Sequence, residues 1–141
     1  MKGNRVVVTG MGAVTPLGLD VDSSWAGICD GRSGAAMIEQ FDATAFSTRF
    51  SASVKNFSVD GYLEPRDARR MDPFFQYGMV AGVQAFRDSG FEVTEANAAR
   101  IGCAIGSGIG GIGSIEDTAM PVLCRYPTRL DYNGRGVYEG I

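Results

Sequence analysis

The first apolar run, Arg5-Val-Val-Val-Thr9, is β-branched at nearly every position and closes on Gly10. A run without alternation predicts a strand buried on both faces, in the middle of a layered sheet. Gly10, Gly12 and Gly18 with Pro16 predict a turn after it. The period then changes, because Trp25, Ile28 and Cys29 fall at i, i+3 and i+4. That spacing predicts a short helix capped by Asp22 or Ser23 and stopped at Gly31, with Cys29 a core thiol on its apolar stripe.

Between Gly34 and Phe57 the pattern loosens into aromatic and polar residues, with short strands expected near Arg49–Val54 and their register left open. Glu64-Pro65 starts the next helical turn, since proline suits the first helical position. Asp72 and Pro73 start a longer helix in the same way. Phe75, Met79, Val80, Val83 and Phe86 give that helix a broad apolar face up to a Gly90 stop, so it is expected to be central and largely buried. Gly78 and Gly82, four apart, let another segment come close. Thr94 is the expected cap of a short Glu95–Arg100 helix, which returns the chain to an apolar strand, Ile101–Ile105.

That strand runs into Gly106-Ser-Gly-Ile-Gly-Gly-Ile-Gly113, where each missing Cβ lets backbone come near a ligand or another segment. The string also matches GxGxxG. A dinucleotide-binding turn needs a well-formed helix next and an acidic residue at the end of a second strand, about 20 positions on. Pro121 and Pro127 follow here with no second apolar strand, so no cofactor is expected. A packing turn without a ligand stays open beside a binding loop.

Composition narrows the classes. The chain has 141 residues, 45% of them hydrophobic, 21% charged and 20 of them glycine, which fits one loop-rich globular α/β domain. A net charge of −3 argues against nucleic acid as a partner. Three irregularly spaced cysteines, Cys29, Cys103 and Cys124, fit neither a CxxC metal site nor a disulfide framework, so no metal and a cytoplasmic setting are expected. The N-terminal apolar run is too short for a signal-peptide core or a membrane span. There is no histidine, which excludes any mechanism within this chain that needs imidazole.

One dense positive cluster stands in this acidic chain: Arg66, Arg69 and Arg70, at i, i+3 and i+4 on the Pro65 turn. It reads either as a solvated face offset by Glu64, Asp67 and Asp72, or as a dock for an acidic partner.

Several strings in order carry a resemblance: Arg5-Val-Val-Val-Thr-Gly-Met-Gly12 with Thr15-Pro-Leu-Gly18, Trp25–Gly34, Arg69-Arg-Met-Asp72 with Gln76-Tyr-Gly78, Val80–Ala85, Asp88-Ser-Gly90 and Arg100–Gly113. Through them the chain resembles the N-terminal part of the β-ketoacyl-acyl-carrier-protein synthases, closest to synthase II of bacterial fatty acid synthesis. The resemblance implies an incomplete α/β fold, the N-terminal part of a layered thiolase-like αβαβα arrangement, and a homodimeric cytoplasmic enzyme when the fold is whole. It implies a decarboxylating Claisen condensation, in which a cysteine is acylated by a carrier-bound chain and two histidines assist reaction with malonyl-carrier protein. It places Gly108, Ile109 and Gly110 against the growing acyl tail. It places Arg66, Arg69 and Arg70 where basic residues meet the acidic acyl carrier protein.

The family's nucleophilic cysteine and both histidines have no counterpart here, so no catalytic residue is assigned. Cys103, inside the apolar strand, is expected in the core, and Cys124 has no histidine to activate it. The match is expected over residues 1–118, with 119–141 an unmatched, irregular tail from a truncated or frame-shifted reading frame. Three readings follow: an N-terminal portion of synthase II, a catalytically silent module that binds carrier protein or pairs with another subunit, or a non-functional fragment.

Overall fold

A computed structural model of the chain describes residues 3–125, 129–130 and 136–137. They form α1 (Val21–Cys29), an antiparallel pair β1 (Ala36–Met37) and β2 (Phe50–Ser51), α2 (Pro65–Ala68), α3 (Pro73–Asp88) and a 3-10 turn at Ala98–Arg100. Then come α4 (Ile112–Arg125) and a second antiparallel pair, β3 (Arg129–Leu130) and β4 (Gly136–Val137). Two compact units divide between Gly106 and Ser107.

The start of α1 differs from the expectation. Its cap is Asp20, not Asp22 or Ser23: Asp20 is extended at φ −145°, and its Oδ1 accepts the Ser23 N–H at 2.7 Å. These bonds, from the Ser23 backbone first and its hydroxyl second, hold the Asp20 carboxyl below the usual aspartate range. The stop is as expected, with Gly31 at φ +64°. The apolar stripe is not turned inward. Ser24 and Gly27 are the buried residues, while Trp25 is 64% exposed and Ile28 and Cys29 are exposed too. Hydroxyls decide the orientation: Ser24 Oγ donates to Gly18 O at 3.2 Å and lies 2.9 Å from Thr15 Oγ1. A Cβ at Gly27 would stand only 3.1 Å from Leu17 Cβ, so this face sits close on the Thr15–Gly18 turn.

α3 is the platform of the first unit. Asp72 precedes it in extended conformation, Pro73 opens it and Gly90, at φ +61°, ends it. Gly10 and Gly12 lie so close that a Cβ on either would run into the carbonyl of Ala85 or Ala81. Met11 N–H donates to Asp88 Oδ2 at 2.9 Å and Ala13 N–H to Gln84 Oε1 at 3.0 Å, while Gln84 Nε2 donates to Leu19 O at 2.7 Å. On the neighbouring face the expected close approach is present. A Cβ at Gly78 would stand 3.3 Å from Ile105 Cγ2, and one at Gly82 3.9 Å from its Cδ1.

Other expectations are corrected. Residues 5–9 and 101–105 lie in no strand, and among the described residues they form no ladder; Val6 is 90% exposed, Val8 is exposed, and Ile105 stays exposed despite its approach to Gly78 and Gly82. A strand buried on both faces needs neighbours to accept its backbone bonds, and the described residues supply none. For the same reason Cys103 is exposed rather than in the core. α3 is not largely buried, since only Val80 reaches 2% exposure while Phe75 and Phe86 stay half-exposed. Thr94 does not cap a helix through its side chain; its N–H donates to Asn97 Oδ1 at 2.7 Å, and only Ala98–Arg100 are helical, as a 3-10 turn.

In the 36–57 region β1 and β2 pair with Ala36 opposite Ser51 and Met37 opposite Phe50, which supplies the missing register. In the second unit α4 runs unbroken through residue 118 and Pro121 to Arg125. The surroundings of Cys124, and residues 126–128, 131–135 and 138–141 of the expected tail, lie outside the described residues. Among the described residues no helix is long and apolar enough to cross a membrane.

Candidate functional site

The Pro65 turn buries one side chain, Ala68, and leaves Arg66, Arg69 and Arg70 exposed. Helical backbone continues past the end of α2: Arg69 is αR, Arg70 N–H donates to Asp67 O at 3.0 Å and Met71 N–H to Ala68 O at 3.2 Å. One continuous turn therefore carries all three arginines at the spacing that puts them on a common face. Glu64 and Asp67 form no ion pair with any of them; an ion pair elsewhere joins Arg32 Nε and Asp30 Oδ2, at 3.7 Å. The three guanidinium groups are thus exposed and unpaired with those two carboxylates.

Contacts from α3 hold this turn. Gln76 Nε2 donates to Ala68 O and to Met71 O, both at 2.9 Å, so one amide group bridges the carbonyls on either side of Arg69 and Arg70. Arg87 donates from Nη2 to Gly61 O at 3.1 Å and lies 5.1 Å over the Tyr62 ring. Phe57 meets Tyr77 edge to face at 4.7 Å. Sequence reasoning did not single out Gln76 or Arg87. Each is a polar residue beside an apolar stripe, and no period marks it out.

The second candidate lies in the other unit. Ser107 Oγ accepts the Gly110 N–H at 3.1 Å, closing a tight turn, and Gly110 sits at φ +88°, where a side chain is strained. Ile109, between Gly108 and Gly110, is 73% exposed, and nothing stands within 4 Å of a Cβ at Gly108. The loop leads directly into α4, whose first turn includes Ile115 N–H donating to Gly111 O at 3.0 Å. It presents one branched apolar side chain on a constrained turn.

The family model for the β-ketoacyl synthase N-terminal domain matches residues 3–130. The chain belongs to the β-ketoacyl synthases. It is 58% identical over 130 residues to 3-oxoacyl-[acyl-carrier-protein] synthase 2 of Vibrio harveyi, a match covering 92% of this chain and 31% of that protein. The corresponding synthase 2 of Vibrio cholerae is 52% identical over the same length and coverage. Among solved structures, the ishigamide ketosynthase/chain length factor is similar at 28% identity and a TM-score of 0.66, covering 84% of this chain and 30% of that one.

The chain therefore spans about a third of the length of the curated relatives it matches. Its fold is the N-terminal part of the layered ketosynthase α/β fold, incomplete by itself. The family match reaches residue 130, beyond the expected limit at 118.

Proposed function

We propose that this chain is the N-terminal portion of a 3-oxoacyl-[acyl-carrier-protein] synthase II, and that the complete protein elongates acyl chains in fatty acid synthesis. One observation carries the reading: 58% identity to a synthase of that name over 92% of the chain. In the complete enzyme a cysteine thiolate takes the acyl group from its carrier thioester and frees the carrier thiol. Malonyl-carrier protein then loses CO2, its carbanion attacks the acyl-enzyme carbonyl, and the new carbon–carbon bond displaces the cysteine thiolate. Covalent catalysis divides one hard step into two. This chain has no histidine and no cysteine assigned to those roles, so condensation belongs to the longer protein and none is expected of the chain alone.

Two roles fall to the chain's own residues. Arg66, Arg69 and Arg70 dock the acidic acyl carrier protein; their exposure, and the lack of an ion pair to Glu64 or Asp67, support this. Such charges act chiefly on the encounter rate and its salt dependence. Ile109, held out by the Gly108–Gly110 turn, forms a wall of the acyl pocket, where one methylene of space is worth about 1–3 kcal/mol of discrimination. Homodimerisation and a cytoplasmic setting belong to the same reading.

The docking half is tested by titrating fluorescently labelled acyl carrier protein with the chain. Binding should weaken steeply with added salt, and the Arg69→Ala/Arg70→Ala double variant should lose about tenfold in affinity, the scale of one or two exposed charge pairs. Binding unchanged by salt and by the double variant contradicts the assignment. A catalytically silent carrier-binding module is the second reading; it is favoured by the same exposed arginines in a chain without histidine.

A further inference from the structure

The three docking arginines lie within and just after a helix of four residues, too short to hold its own geometry in water. Besides the burial of Ala68, one side chain from another element ties it down. Gln76, in the first turn of α3, spends both N–H bonds of its amide on the turn, one to Ala68 O and one to Met71 O, each at 2.9 Å. Ala68 is the residue by which the turn is buried, and Met71 is the residue after the last arginine. Arg69 and Arg70 lie between these two anchor points. Because Gln76 is itself only partly exposed and sits on a helix of 16 residues, the rigid platform imposes its position on the arginine turn.

We infer that Gln76 is a positioning residue for carrier-protein recognition: its amide locks the backbone of residues 68–71 so that Arg69 and Arg70 are presented together before the partner arrives. It touches no substrate and carries no charge, and its effect passes through the two arginines. Without the lock the same charges remain, but the partner must order the turn on binding, and that ordering weakens the complex. This inference rests on the docking role proposed for the arginines.

The test is a double-mutant cycle in the carrier-protein titration, using Gln76→Met, which keeps length and bulk but has no donor. In the otherwise native chain Gln76→Met should weaken binding about fivefold, as two neutral hydrogen bonds are lost from the presented conformation. In the Arg69→Ala/Arg70→Ala background the same change should move affinity less than about twofold. Amide exchange supplies the second readout. Gln76→Met should speed exchange at Arg70 and Met71 while leaving the middle of α3, around Val80, protected as before.

Three results would overturn the inference. Native affinity in Gln76→Met, with the arginine double variant impaired, removes Gln76 and leaves the dock standing. Equal loss in both backgrounds, or faster exchange throughout α3, means that Gln76 only supports the fold. Native affinity in the arginine double variant removes the dock itself, and the positioning role with it.

Discussion

Asp20 shows how a single carboxylate ties pH to local structure in this chain. Its ionised form accepts the Ser23 N–H, so its pKa in the folded chain lies below the unfolded one. The cap therefore contributes fully at neutral pH, above the unfolded value, and its contribution fades as pH falls through the lowered folded value. Asp20→Asn should keep a cap of similar strength without that titration. Between about pH 5 and about pH 2, amide protection at Ser23 and Ser24 should fall in the native chain and hold in Asp20→Asn, beyond the change in intrinsic exchange. Equal losses in both would contradict the carboxylate as the cause. The effect is small, because Asp20 is exposed and solvent screens it.

Residues of this kind were partly legible. Gly31 and Gly90 were readable as helix stops because a positive φ favours glycine locally, whatever surrounds it. The choice of Asp20 over Asp22 and Ser23 was not, since all three can cap and only the path of the preceding turn decides. Gln76 was hidden more deeply, because its partners are backbone carbonyls 8 and 5 residues away on another element, and carbonyls leave no mark in sequence.

At the scale of elements, α3 organises the first unit by close backbone contact rather than by a large buried side-chain surface. Gly78 and Gly82 disclosed one such contact in advance, by their spacing of four on an otherwise apolar helix. Gly10 and Gly12 supply the other, and here substitution is informative. Gly12→Ala drives a Cβ into the Ala81 carbonyl, so residues 10–13 must lift away at a cost of about 1–3 kcal/mol. Exchange at Met11 and Ala13 should rise roughly fivefold to a hundredfold, since their N–H groups are held by Asp88 and Gln84. Gly3→Ala, with nothing within 4 Å of the new Cβ, is the control and should change nothing. If Gly12→Ala left both amides protected, the platform description of α3 would fail.

The two expected strands mark the limit of pattern reading at this scale. Val6, Val7 and Val8 have the composition of a strand buried on both faces, and periodicity reports that composition faithfully. Whether a ladder forms depends on partners elsewhere, and among the described residues they are missing. The stripe Trp25, Ile28 and Cys29 misled for a similar reason. An apolar stripe shows which face a complete fold would cover, while here Ser24 and Gly27 make the contacts that are present.

For the whole molecule, family and fold were more legible than local burial. Several unrelated strings in fixed order identify an architecture even when most of that architecture is supplied by other residues. Burial requires the covering layers themselves, and the chain corresponds to 31% of the Vibrio harveyi synthase. The arginine turn and the Gly108–Gly110 loop belong to separate compact units.

The most direct measurement is accordingly made on a completed enzyme. Residues 1–130 of this chain, fused to the remaining C-terminal portion of the Vibrio harveyi synthase, are supplied with acyl- and malonyl-carrier protein, and the carrier-bound product is weighed by mass spectrometry. The fusion should give product two carbons longer than the acyl primer, while the chain alone gives none. A folded fusion that makes no product, or a chain that makes it unaided, would contradict the assignment of this chain as the N-terminal portion of a synthase II.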